Sequence, residues 1–243
     1  MNFQIHTLFK DIFNSFLSTS LISKAIENNI LQFNMVDIRD YTKDKHRKVD
    51  DSPYGGGAGM LMSVEPLYES LIQNPLTNSK VIYMTPSGKL LKQKDVKSMA
   101  LNYDNFTIVC GHYEGFDNRI FDLVPGEQIS LGDFICMSGE TTAMCLIEAL
   151  ARYKEGVISN SESLEKESYN EESLEYPQYT KPQNYKNYEV PEILLSGHHA
   201  KIEKYRKNES IFKTFCLRPD LFIKLHMDNI EIDYLLDKVE GTS

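Results

Sequence analysis

Apolar and polar positions follow two rhythms along the first two thirds of the chain. Lys80-Val-Ile-Tyr-Met84 and Phe106-Thr-Ile-Val-Cys110 are short, largely apolar runs. Runs of that length without alternation are the mark of strands covered on both faces of a parallel sheet. Phe3-Gln-Ile-His-Thr-Leu-Phe9 also reads as a strand, and Ile129 to Ile135 is a weaker candidate. Between the first two strand candidates the period changes to 3.6. Apolar residues at 12, 13, 16, 17, 21, 22, 25 and 26 predict one helix from Ile12 to Ile30. Strand and helix patterns in alternation over residues 1–160 predict an α/β domain, a parallel sheet flanked by helices.

Both rhythms stop at residues 161–175, SESLEKESYNEESLE. This Ser- and Glu-rich stretch holds too little apolar surface to order itself, which predicts a flexible acidic linker. Pro177, Pro182 and Pro191 follow in a Tyr-rich segment without periodicity. From Gly197 the pattern is helical up to Arg218-Pro219, with one more helix near 219–226. Residues 176–243 therefore predict a small α-helical C-terminal domain. No internal repeat is visible.

Composition narrows the class. The chain has 243 residues, 41% of them hydrophobic and 25% charged, with 13 Gly and 9 Pro, as in a folded globular protein. A chain of this size buries roughly three quarters of its unfolded surface, so it needs no metal or disulfide staple. No apolar run approaches the roughly 18 residues of a membrane span. Met1-Asn-Phe-Gln-Ile-His6 lacks the basic and apolar regions of a secretory signal. Cys110, Cys136, Cys145 and Cys216 form no C-x-x-C pair, and buried reduced thiols are expected. The expectation is a cytoplasmic protein with no membrane partner.

The net charge of −9 would by itself argue against nucleic acid. Residues 161–175 carry six Glu and one Lys, however, so −5 of that charge sits there. Basic clusters remain at Lys43-Asp-Lys-His-Arg-Lys48 and between Lys201 and Lys207. A local patch can bind RNA on an acidic chain, because salt confines the interaction to about 8 Å. Charge does not select the partner.

Three glycine-bearing turns each follow an apolar run: Tyr83-Met-Thr-Pro-Ser-Gly88, Cys110-Gly-His-Tyr-Glu-Gly115 and Ser130-Leu-Gly-Asp-Phe-Ile-Cys-Met-Ser-Gly-Glu140. Ligands of open α/β sheets bind outside the carboxyl ends of strands, and glycine lets backbone approach a ligand closely. Each turn alone is also an ordinary strand-to-helix connection; three together could hold a flat purine by backbone hydrogen bonds. The G-x-x-x-x-G-K-[ST] phosphate loop is absent, which disfavours a nucleoside-triphosphate enzyme. Asp50-Asp-Ser-Pro-Tyr-Gly-Gly-Gly-Ala-Gly-Met60 does not fit G-x-G-x-x-G and reads as a flexible linker or a substrate-covering flap. H-E-x-x-H and G-x-S-x-G are absent too. His112, His198 and His199 read as satisfied polar residues, and no metal ligand set emerges.

Four segments resemble the bacterial tRNA (guanine-N1)-methyltransferases, in that family's order and spacing. They are Val49–Met60, Val109-Cys-Gly-His-Tyr-Glu-Gly-Phe-Asp-Asn-Arg119, Ser130–Glu140 and Leu195-Ser-Gly-His-His-Ala-Lys-Ile202. The match runs from about residue 1 to residue 219. It implies the knotted SPOUT methyltransferase fold, a homodimer with the active site at the subunit interface, S-adenosyl-L-methionine as methyl donor and tRNA as substrate. The implied product is methylation at N1 of the guanosine at tRNA position 37, next to the anticodon. Pattern alone suggests an open sheet, since knots are too rare for periodicity to propose.

The resemblance also assigns residues. The donor's adenosine would lie among Tyr83, Met84, Thr85, Pro86 and Gly88, then Gly111, Tyr113, Glu114 and Gly115. Ser130, Leu131, Gly132, Asp133, Phe134, Ile135, Cys136, Ser138 and Gly139 complete that set. Glu114 would pair with the donor's ammonium group. Arg152 matches the family's helix arginine. Glu167 stands where the family has an aspartate, and Glu165 is a close rival for the same role. In the dimer, Glu167 would serve the partner's site. Neutral guanine holds a proton on N1, so a base must remove it, an effect worth roughly 10²–10⁴ in rate. Glu167 would be that base, and the Arg152 guanidinium would stabilise the charge growing on O6. Candidates for tRNA contact are Lys45, His46, Arg47, Lys48 and Asp50, and Lys201, Lys204, Arg206 and Lys207. No motif specifies Mg²⁺, and its involvement stays open. Other departures from the family are Met137 before Ser138-Gly139, Thr142 for a proline, His198 for an asparagine and Tyr205 for a tryptophan. The Asp-to-Glu change is the one feature favouring the alternative, a non-catalytic RNA-binding module of the same fold.

Overall fold

A computed structural model describes residues 1–158, 168–169 and 172–241. The chain divides into two units, Met1–Ser159 and Asn160–Ser243. Glu165 and Glu167 lie outside the described residues.

The first unit opens with β1 (Asn2–Thr7), α1 (Asn14–Leu17), α2 (Ser20–Glu27) and β2 (Gln32–Asp37). A two-strand hairpin of β3 (Asp50–Asp51) and β4 (Leu61–Met62) precedes α3 (Val64–Gln73). Then come β5 (Ser79–Leu90), α4 (Gln93–Asn102), β6 (Asn105–Cys110), α5 (Arg119–Leu123), β7 (Glu127–Ser130) and α6 (Gly139–Ala151). Five of these strands form one parallel sheet in the order β2-β1-β6-β5-β7. The two apolar runs are its middle, each with a strand on either side, which is why they lack polar alternation.

Side chains alternate across the sheet and feed two cores. On one face Phe3 sits in register with Phe33 and Phe106, and the rings stack at 5.1 and 5.5 Å between centroids. Ile5, Ile82 and Ile108 continue that face, covered by Ile22 and Ala25 of α2, Val96 and Met99 of α4, and Leu146, Ile147 and Leu150 of α6. On the other face Tyr83 and Val109 pack with Leu67 and Leu71 of α3 and Ile120 of α5. Each fully buried aliphatic or aromatic side chain contributes about 1.5–3 kcal/mol relative to exposure. His6 is buried on this second side, between Ser70 Oγ and Gln4 Nε2, each at 3.0 Å. Burial lowers its pKa to about 4.

Three expectations change. The predicted 12–30 helix is broken into a 3₁₀ turn at Lys10–Phe13, α1 and α2. Ser18 and Thr19 turn their hydroxyls onto the Ser15 carbonyl, and Ser20 is left-handed at φ 57. Such local bonds compete with the helix ladder. The turn at 83–88 is no strand-to-helix turn. It is an irregularity inside β5, whose pairing with β7 shifts between Met84 and Lys89 before resuming. The thiols are free as expected, but only Cys110 is buried; Cys145 and Cys216 are exposed.

The second unit has the hairpin β8 (Asn184–Tyr185) and β9 (Tyr188–Glu189), then α7 (Glu192–Leu195), α8 (His199–Leu217), α9 (Pro219–Phe222) and α10 (Asn229–Gly241). The pattern missed α10. It docks on α8 through charge as much as apolar contact: Lys207 meets Glu231 at 2.5 Å and Lys238 meets Glu209 at 2.7 Å. No helix among the described residues is long and apolar enough to cross a membrane.

Candidate functional site

Parallel strands deliver all their carboxyl ends to one edge of the sheet. There the β5 irregularity, the turn after β6 and the segment before α6 surround a cleft of about 290 Å³. Glycine brings their backbones together. The Gly139 N–H donates to the Gly111 carbonyl at 2.6 Å. A Cβ at 139 would stand 2.4 Å from the Gly111 nitrogen, and one at 111 would stand 2.7 Å from the Met84 oxygen. Three chain segments thus touch main chain to main chain at one point, where no side chain fits.

Most residues that the resemblance assigns to the donor line this cleft: Met84, Thr85, Pro86, Gly111, Tyr113, Glu114, Gly115, Ser130, Leu131, Gly132, Phe134, Ile135, Cys136, Ser138 and Gly139. Tyr83, Gly88 and Asp133 do not. Tyr83 points to the opposite face, one residue out of phase with Met84, and its hydroxyl donates to the Val124 carbonyl at 2.7 Å. Gly88 packs on the β7 backbone, where a Cβ would meet the Gln128 carbonyl carbon at 2.5 Å. Ser87, His112, Phe116, Ile129, Met137 and Thr142 line the cleft in addition.

The glycine-rich segment is the loop of the β3–β4 hairpin, and it is strapped to the second turn. Glu114 N–H donates to the Met60 carbonyl and Met62 N–H to the Gly115 carbonyl, both at 2.9 Å. Gly59 is left-handed at φ 85, and a Cβ there would lie 2.3 Å from Glu114 Cγ. The Glu114 side chain therefore rests on Gly59 at the cleft mouth. Periodicity could not reveal this strap, because it is made of backbone bonds between segments some 50 residues apart.

Arg152 caps the far end of α6 and is half-buried. It stands at the opposite end of this 13-residue helix from Gly139, about 20 Å away at 1.5 Å per residue. Phe134, Ile135 and Met137 at the cleft rim are 59%, 85% and 97% exposed.

The basic candidates fall in both units. Lys45, His46, Arg47 and Lys48 are exposed, and Asp50 is half-buried. Arg47 pairs with Asp40, and Lys48 with Asp51 at 3.2 Å. Exposed pairs of this kind are held weakly, so exchanging a carboxylate for a phosphate costs little. On α8, Lys201 and Lys204 are exposed. Arg206 is more engaged, bonded to Glu203 at 2.9 Å with its guanidinium over the Tyr176 ring at 4.9 Å. Among the described residues, no group of three His, Cys, Asp or Glu could hold a metal ion. The reading of His112 as a satisfied polar residue fails: its Nδ1 is buried without a hydrogen-bond partner among the described residues.

Residues 1–224 match the family described as tRNA (Guanine-1)-methyltransferase TrmD. Curated relatives named tRNA (guanine-N(1)-)-methyltransferase cover nearly the whole chain. The Nostoc punctiforme protein is 47% identical over 226 residues, 93% of this chain and 94% of its own length. The Ruminiclostridium cellulolyticum protein is 45% identical over 233 residues, 95% of this chain and 100% of its own. The Treponema denticola protein is 48% identical over 224 residues, 92% of this chain and 91% of its own. With four long motifs, a parallel α/β sheet and that coverage in agreement, the chain belongs to the tRNA (guanine-1)-methyltransferase family.

Proposed function

We propose that this protein transfers the methyl group of S-adenosylmethionine to N1 of guanosine 37 in tRNA. The observation that carries the reading is the glycine-cradled cleft at the carboxyl edge of the sheet, in a chain of this family. Its lining suits the donor. Leu131, Phe134 and Ile135 offer apolar contact, the turns offer backbone N–H and C=O groups, and Glu114 stands at the mouth. The donor brings a methyl group activated by its positively charged sulfur. The turns hold it still, so that approach of the base becomes a matter of alignment, a large part of the rate. The Glu114 carboxylate pairs with the ammonium group. Glu167 takes the N1 proton, and the Arg152 guanidinium stabilises charge on O6.

Arg152 stands about 20 Å of helix from Gly139, which favours a site shared between two copies. The proposal includes a homodimer, in which Glu167 serves the partner's cleft. The exposed Phe134, Ile135 and Met137 supply the apolar surface such a dimer would cover. It also includes the SPOUT knot, with the chain threaded through the segments that meet at Gly111 and Gly139, and action on tRNA in the cytoplasm. The basic residues beside the hairpin and on α8 would hold phosphates, which position RNA without reading its sequence. The catalytic domain would be residues 1–160, followed by the 161–175 linker and a tRNA-binding domain at 176–243.

The test is transfer of labelled methyl from S-adenosylmethionine to tRNA bearing guanosine or adenosine at position 37. Transfer to the guanosine form alone supports the reading. Donor binding without transfer would favour the alternative, an RNA-binding module that lost catalysis with the Asp-to-Glu change at 167.

A further inference from the structure

Three polar groups from three segments meet beneath the cleft, and only two of them are joined. Glu140, in the first turn of α6, is fully buried. Thr7 at the end of β1 donates its hydroxyl to Glu140 Oε1 at 2.7 Å. The other oxygen, Oε2, has no hydrogen-bond partner among the described residues, and neither has His112 Nδ1. These two atoms lie 3.9 Å apart. Leaving a buried polar atom unpaired costs about 1–3 kcal/mol, so two orphans at this separation are poised to pair. Closing to hydrogen-bond length takes about 1 Å. The imidazole is flanked by the Phe9 ring at 5.0 Å and the Tyr113 ring at 4.7 Å, so a shift of His112 carries the turn with it. His112 lines the cleft and Glu140 does not. A molecule in the cleft therefore bears on the ring rather than on the carboxylate.

We infer that His112 is a positioning residue: its Nδ1–H bonds to Glu140 when the cleft is filled, and this bond fixes the turn at 111–115 around the methyl donor. The inference rests on the reading of the cleft as the S-adenosylmethionine site. It assigns the ring's polar atom, rather than its shape, as what the turn requires.

Two substitutions separate those possibilities. Phe at 112 keeps an aromatic ring between Phe9 and Tyr113 but has no polar atom. Asn loses the ring and keeps an amide near the Nδ1 position. Calorimetric titration of S-adenosylmethionine into full-length protein is expected to show H112F weakened at least tenfold and H112N within threefold of wild type. In turnover, H112F should raise the donor KM more than it lowers kcat, with little change in melting temperature. In wild-type protein carrying ¹⁵N-histidine, the donor should bring a protected imidazole N–H resonance that E140A lacks; this readout stands even if H112F does not fold. Donor affinity in H112F equal to wild type, H112N as impaired as H112F, or no protected resonance would each overturn the inference. A wild-type protein that binds no donor would overturn the reading of the cleft itself.

Discussion

Replacing Gly139 by alanine adds one methyl group at the point where the cleft's three segments meet. The new Cβ would stand 2.4 Å from the Gly111 nitrogen, 2.9 Å from its oxygen and 3.0 Å from the Cys110 carbonyl carbon. All three are main-chain atoms at the end of a central strand, so no side chain can swing away. Either β6 and its turn shift, or the start of α6 does. Overpacking of this kind costs about 1–3 kcal/mol. The 2.6 Å bond from Gly139 N–H to the Gly111 carbonyl is lost with the shift, about 1 kcal/mol more. The total of roughly 3 kcal/mol corresponds to a fall in melting temperature of about 6–12 °C for a chain of this size. Donor affinity should fall further than stability, because the displaced turns are the cleft wall. Calorimetric melting and titration with S-adenosylmethionine measure both. A G139A protein melting within 2 °C of wild type with unchanged donor affinity would refute the claim that backbone contact at this point builds the cleft.

Four further outcomes are expected. Gly59→Ala drives its Cβ onto Glu114 Cγ, so it should weaken donor binding as Glu114→Ala does, and the double variant should be no worse than either single one. Glu167→Gln should abolish methyl transfer while donor binding persists; unchanged turnover would move the base to another carboxylate. Met137→Asp, at a rim residue not assigned to the donor, should shift the sedimentation coefficient from dimer to monomer and remove activity with it; an active monomer would contradict the shared site. His6 has a folded pKa of about 4 against an ordinary 6.5, so between these values the unfolded chain binds the extra proton. Its stabilising contribution is complete above pH 6.5 and is lost as pH falls toward 4, by about 2 kcal/mol at pH 5. Urea unfolding at pH 7.5 and 5 measures this, and His6→Gln should flatten that part of the slope.

The sheet was legible because its central strands are covered on both sides and therefore read as plain apolar runs. The glycine turns were legible as backbone that must come close to something. Their partner was not, because Gly139 and Gly111 meet across 28 residues of sequence. Periodicity joined Ile12 to Ile30 into one helix because it counts apolar positions and is blind to the hydroxyls of Ser18 and Thr19, which divert the chain. It ended β5 at the Pro86-containing turn, although the strand resumes with β7 after the bulge. α10 escaped because its docking to α8 uses Glu231 and Lys207, residues that read as solvent-facing in a pattern of hydropathy. Of the assigned site residues, strand phase alone could have excluded Tyr83, since Met84 and Tyr83 cannot both face the same side. Nothing in the sequence singled out Glu140; its complete burial, 3.9 Å from His112, gives it a meaning.

Nucleoside analysis after reaction identifies the methylated atom itself. Purified protein, S-adenosylmethionine and tRNA with guanosine at position 37 are incubated, and the RNA is digested and resolved by mass spectrometry. 1-Methylguanosine is expected at that position, and none when adenosine replaces it. A product methylated elsewhere, or tRNA recovered unmodified from protein that binds the donor, would contradict it.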